Sequence, residues 1–67
     1  MRVQSYTIEA VAYDESAHIL TARFRDSGRT VIYENVPQEI YDGLIFADSI
    51  GGYFHDHIEG RFRERQN

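Results

Sequence analysis

Sixty-seven residues without a single Cys make one small domain and exclude both a disulfide framework and a Cys-based zinc staple. Seven basic residues against eleven acidic ones give a net charge of −4, which argues against a general nucleic-acid or membrane-surface binder, usually basic overall. No run approaches the roughly 18 apolar residues of a membrane span. The opening MRVQSYTIEAV has no apolar leader segment, so a cytoplasmic protein is expected.

A chain this short has a marginal core, and five Tyr and four Phe are its main source of buried area. Residues 5 to 13, SYTIEAVAY, are β-branched and aromatic enough for a strand, although Ala10 and Ala12 weaken the alternation. DESA, 14 to 17, reads as a turn. HILTARFR, 18 to 25, alternates cleanly, with Leu20, Ala22 and Phe24 on one face and Thr21, Arg23 and Arg25 on the other. DSG, 26 to 28, is a turn, and RTVIYENV, 29 to 36, is a third strand with Val31 and Tyr33 on one face. Short turns between consecutive strands predict an antiparallel meander.

The third strand must end at Pro37, which has no N–H to give a ladder. Pro also suits a helix start, and Gln38, Glu39 and Asp42 complement the helix dipole there. Ile40, Leu44 and Ala47 follow helical spacing with Tyr41 beside them, so a helix is expected at 38–47. Asp48 or Ser49 can cap a second helix. Ile50, Phe54, Ile58 and Phe62 recur every four residues and predict that helix over 50–63. The polar tail RERQN is expected to fray. The predicted architecture is α+β: a three-stranded antiparallel meander followed by two helices on one face, β-β-β-α-α. Leu20, Phe24, Tyr33, Ile40, Leu44, Phe54 and Ile58 are its expected core.

In this order the chain resembles the KTSC domain family over nearly its whole length, so residues 1–67 read as a single KTSC-like domain. The resemblance rests on Ile8, Tyr13-Asp14, Phe24, Gly28, Asn35-Val36-Pro37, Tyr41, Ala47-Asp48-Ser49, Gly52-Tyr53-Phe54 and Ile58. The family is found as small bacterial proteins and at the C-terminus of some lysyl-tRNA synthetases. The resemblance implies no established activity, and it suggests RNA binding through that fusion. The chain departs from the family at three places. Val31-Ile32-Tyr33 keeps one Tyr of a Tyr-X-Tyr pattern, His55 replaces the usual Asn, and Glu59 follows the late Ile where a basic residue is common.

Catalytic and metal chemistry find little footing. His55-Asp56-His57 resembles a metal or acid–base site, but helical residues two apart point about 200° apart and cannot chelate one ion. Ser49, His55 and Asp56 make a triad on paper, yet Ser49 reads better as a cap and no nucleophile elbow is present. Gly51-Gly52 could cradle an anion, but no phosphate-loop Lys follows, and tight backbone packing explains the pair better. No enzyme activity, cofactor or metal is expected.

Basic chemistry is the remaining feature. Every basic residue is Arg, whose planar fork suits phosphate and stacks on bases. Arg23 and Arg25 on the outer face of the second strand, with Arg29 in the third, form one candidate patch. Arg61, Arg63 and Arg65 on the last helix form another. Sheet faces with basic and aromatic groups hold single-stranded RNA by stacking and phosphate contact. An RNA-binding module, for tRNA or other RNA, is therefore one expectation. A solvated face paired with Glu9 and Glu34 is the plainer reading of the first patch. A protein-interaction or homodimerisation module is the alternative function.

Overall fold

The computed structural model of the chain describes residues 5–66. Residues 1–4, the start of the stretch read above for a leader, and Asn67 at the end of the tail lie outside the described residues. Strands β1 (Ile8–Asp14), β2 (Ile19–Phe24) and β3 (Thr30–Glu34) precede helices α1 (Gln38–Phe46) and α2 (Ile50–His57). A further strand, β4 (Arg63–Gln66), follows them. The four strands pair antiparallel in the order β1-β2-β3-β4.

The α+β class and the meander are as the sequence predicts, but the β-β-β-α-α order is corrected to β-β-β-α-α-β. The second helix does not reach residue 63. It closes at Ile58, where the Ile58 and Glu59 amides both donate to the Phe54 carbonyl. Gly60 then takes φ +75°, a conformation that costs Gly little and turns the chain back. Within the RERQN tail, the described residues 63–66 are not frayed. Residues 63–66 pair with β3, placing Glu64 opposite Tyr33 and Arg65 opposite Ile32.

The buried face of the sheet carries Ile8, Val11, Leu20, Ala22, Val31 and Tyr33, and the helices seal it with Leu44, Phe54 and Ile58. Phe54 stands edge-on to both Phe24 and Tyr33, with ring centroids 5.6 and 5.4 Å away. Such pairs add to the burial of their area. Ile40 and Phe24 pack partly buried against this centre. The imperfect alternation of β1 has a cause: a bulge between Ile8 and Ala10 lets Ile8 and Val11, three residues apart, face the same core.

The Asn-Val-Pro seam is a built corner. Asn35 takes φ +59°, one of the few non-Gly types that tolerates this region. The turn drives Val36 to full burial. Its amide donates to the His18 carbonyl at 2.9 Å, and its carbonyl accepts from the Tyr13 hydroxyl at 2.6 Å. Pro37 occupies the N-cap of α1, and its carbonyl accepts from the Ile40 and Tyr41 amides. Tyr41, delivered by the helix, stacks on Tyr13 at 4.7 Å.

Candidate functional site

Both helices cover one face of the sheet and leave the other open. Strand parity and register decide what the open face carries. Ala12, Thr21, Ile32 and Arg65 are neighbours across the four strands. Arg23 lies beside Ala10 and Thr30, and Glu34 beside Arg63. Arg23, Arg63 and Arg65 are exposed. By register, the Cα atoms of Arg23 and Arg65 stand about 12 Å apart, two strand spacings across and two residues along.

The two Arg clusters expected from the sequence are regrouped. Arg63 and Arg65 do not lie on the last helix; they lie on β4 and join Arg23 on the open sheet face. Arg25 directly follows β2, and its Nε donates to the Ser5 carbonyl at 3.0 Å. Arg29 does not share that face: it precedes Val31 by two residues and lines a pocket on the helical side. Arg61 lies in the turn after α2, with its amide bonded to the Ile58 carbonyl.

Charge on the open face is partly balanced. Arg65 Nε pairs with Glu34 at 2.6 Å. Among the described residues, Arg23 and Arg63 form no ion pair. Acidic groups gather elsewhere. Burial raises the Tyr13 pKa, and Glu15, Asp42, Glu39 and Asp14 around that end of the molecule raise it further. Burial likewise raises the Tyr33 pKa, with Glu64 and Glu59 adding to it on the helical side. The molecule is therefore polarised despite its net negative charge. The aromatics of the strands, Tyr13, Phe24 and Tyr33, all belong to the core side. The open face offers guanidinium groups, Thr hydroxyls and Ile32, and no strand aromatic for stacking.

The other candidates from the sequence resolve into structural roles. Ser49 Oγ accepts from the Gly52 amide at 3.1 Å and caps α2. The Gly51 Cα faces the Ser5 and Thr7 side chains, so a Cβ there would meet the Ser5 hydroxyl at 3.3 Å. His55 Nδ1 pairs with Glu59 at 3.0 Å, and this hydrogen bond raises the His55 pKa. His57 packs on the Tyr53 ring at 4.4 Å. The two histidines thus serve different neighbours. Among the described residues no cluster of His, Cys, Asp and Glu is arranged to hold a metal ion. Nor is any helix among them long and apolar enough to cross a membrane.

A four-stranded antiparallel meander with two helices on one face and an Asn-Val-Pro corner defines the class, and comparison with known proteins names it. The KTSC domain model matches residues 4–62, and the chain belongs to that family. A protein from Tsukamurella paurometabola is 41% identical over 61 residues, covering 91% of this chain and 90% of the relative. Another, from Stutzerimonas stutzeri, is 38% identical over 52 residues, covering 78% and 72%. The crystal structure of a KTSC domain protein from Yersinia pestis superimposes with a TM-score of 0.95 at 31% identity. It covers 100% of this chain and 93% of that one.

Proposed function

We propose that the open face of the sheet is an RNA-binding surface, gripping phosphates through Arg23, Arg25, Arg63 and Arg65. The observation that supports it is the convergence of Arg23 on β2 with Arg63 and Arg65 on β4, on the face the helices leave uncovered, with Arg25 following β2 in the same parity as Arg23. Arg forks suit phosphate oxygens bidentately. Without strand aromatics on that face, backbone contact dominates over base stacking, so sequence preference is slight. Arg29, on the helical side, does not take part. The test is a titration of labelled RNA against wild type, Arg23→Glu/Arg63→Glu and Arg29→Glu. The double variant abolishes binding and Arg29→Glu leaves it largely intact. Equal loss in both variants, or no binding by wild type, overturns the reading in favour of a protein-interaction module.

A further inference from the structure

On the helical side, where the β2–β3 turn approaches the chain after α2, lies a pocket of about 370 Å³. Phe24, Asp26, Arg29, Tyr33, Glu59 and Glu64 supply the walls that matter. The volume falls within the range of small-molecule sites, about 300–1,000 Å³. Its electrostatic character is mixed: three carboxylates and one guanidinium face a common space.

Tyr33 is the second and independent observation. The residue is only 1% exposed. Its ring is fixed by Phe54 and its cross-strand neighbours. Its hydroxyl makes no hydrogen bond among the described residues. Among those residues no fully buried side-chain N or O lacks a partner, so the sliver of surface that Tyr33 keeps includes the hydroxyl, at the pocket wall. A desolvated phenol without a protein partner is costly unless something else satisfies it. A phenol keeps its proton at neutral pH, and burial raises the pKa of this one further, so it can donate as well as accept.

We propose that this pocket binds a small zwitterion. Its ammonium or guanidinium group is held between Glu59 and Glu64, its carboxylate is held by Arg29, and the Tyr33 hydroxyl bonds the ligand between them. A phosphate is disfavoured by Asp26, Glu59 and Glu64 together. A bare metal ion is disfavoured because the carboxylates are not grouped as ligands. Phe24 adds an aromatic wall on which a cation is stabilised. The site lies on the opposite side of the sheet from the RNA surface, and neither reading depends on the other.

Arginine and agmatine distinguish the parts, because they differ only by the carboxylate. Amide chemical shifts of residues 26, 29, 59 and 64 are followed while each compound is titrated into the full chain. Both are expected to bind saturably, with arginine tighter. Glu59→Gln/Glu64→Gln weakens both by about tenfold or more, the loss expected for a charged hydrogen bond. Arg29→Gln weakens arginine and does not weaken agmatine. Tyr33→Phe, which keeps the ring in the core, weakens both. Retained shift dispersion shows that each variant is folded. Absence of saturable shifts at these residues, equal binding of the two compounds by wild type, or binding unaltered in the double Gln variant overturns the proposal.

Discussion

The Tyr13 hydroxyl donates a 2.6 Å hydrogen bond to the carbonyl of Val36, tying the end of β1 to the corner where sheet becomes helix. The same ring stacks on Tyr41 of α1. One residue thus fixes the first strand, the Asn-Val-Pro turn and the first helix. Tyr13→Phe keeps the stack and removes the bond. The expected loss is about 1 kcal/mol. For a domain of this size that lowers Tm by about 4–8 °C. Thermal unfolding by circular dichroism measures it, and an unchanged Tm would show that the bond contributes nothing net.

Phe54 is the member of α2 whose ring meets both Phe24 and Tyr33. Its truncation removes two edge-to-face contacts and opens a cavity at the sheet–helix interface. Phe54→Ala is expected to cost about 3–5 kcal/mol. That is most of the stability of a small domain. The variant should show collapsed amide dispersion at room temperature. A Tm within a few degrees of wild type contradicts its central place.

Gly43 offers a sharper contrast, because two rules disagree about it. Helix propensity alone says that Gly43→Ala should stabilise by about 1 kcal/mol. The packing says otherwise, since a Cβ at Gly43 would lie 2.6 Å from the Cζ of Tyr53. The ring of Tyr53 occupies the space that a side chain would need, and overpacking costs about 1–3 kcal/mol. Gly43→Ala should therefore destabilise, and in a Tyr53→Ala background the same change should stabilise. Urea unfolding of the four proteins gives the coupling. Additive effects would show that the Tyr53 ring does not obstruct a side chain at residue 43.

Most of the fold was legible in the sequence because local chemistry and global packing agree there. Alternation marks β2, Pro37 ends the third strand region and Ser49 caps α2, all from local residue types. β4 was missed because Phe62 continues the four-residue stripe of Ile50, Phe54 and Ile58. Gly60 breaks the helix after Ile58, and from Arg61 to Arg65 the Arg residues recur with period two, the strand signal that the stripe concealed. Regrouping of the Arg residues follows from that single error. Arg29 was misplaced for a different reason: parity puts it with Val31, not with Arg23. The pocket could not be read locally, since it joins Tyr33 to Glu59 and Glu64 through tertiary contact. The residues that carry the family resemblance, such as Tyr13, Asn35, Val36, Ser49 and Phe54, are spent on folding, so they point to architecture before function.

Alkaline pH probes the same core. Tyr33 and Tyr13 both have folded-state pKa values above the ordinary 10.0. The folded state therefore holds these protons more tightly than the unfolded chain. The associated stability is fully present below about pH 10 and is lost as pH rises toward the folded values. His55 acts in the same sense in the neutral range, contributing below its ordinary 6.5 and fading as pH rises through its raised value. Denaturant midpoints should be lower at about pH 11 than at about pH 9, and Tyr33→Phe should flatten that fall. A wild-type midpoint independent of pH in this range contradicts the desolvation of the Tyr33 phenol.

RNA on the open sheet face is the central claim, and an amide shift map of the chain titrated with single-stranded RNA at two salt concentrations tests it most directly. The account predicts shifts at Thr21, Arg23, Thr30, Ile32, Arg63 and Arg65, with α1 and α2 unmoved. With three or four phosphate contacts, affinity should fall about 20- to 50-fold between about 50 and 200 mM salt. Shifts confined to the helices or to the Tyr33 pocket, or an affinity indifferent to salt, would contradict it.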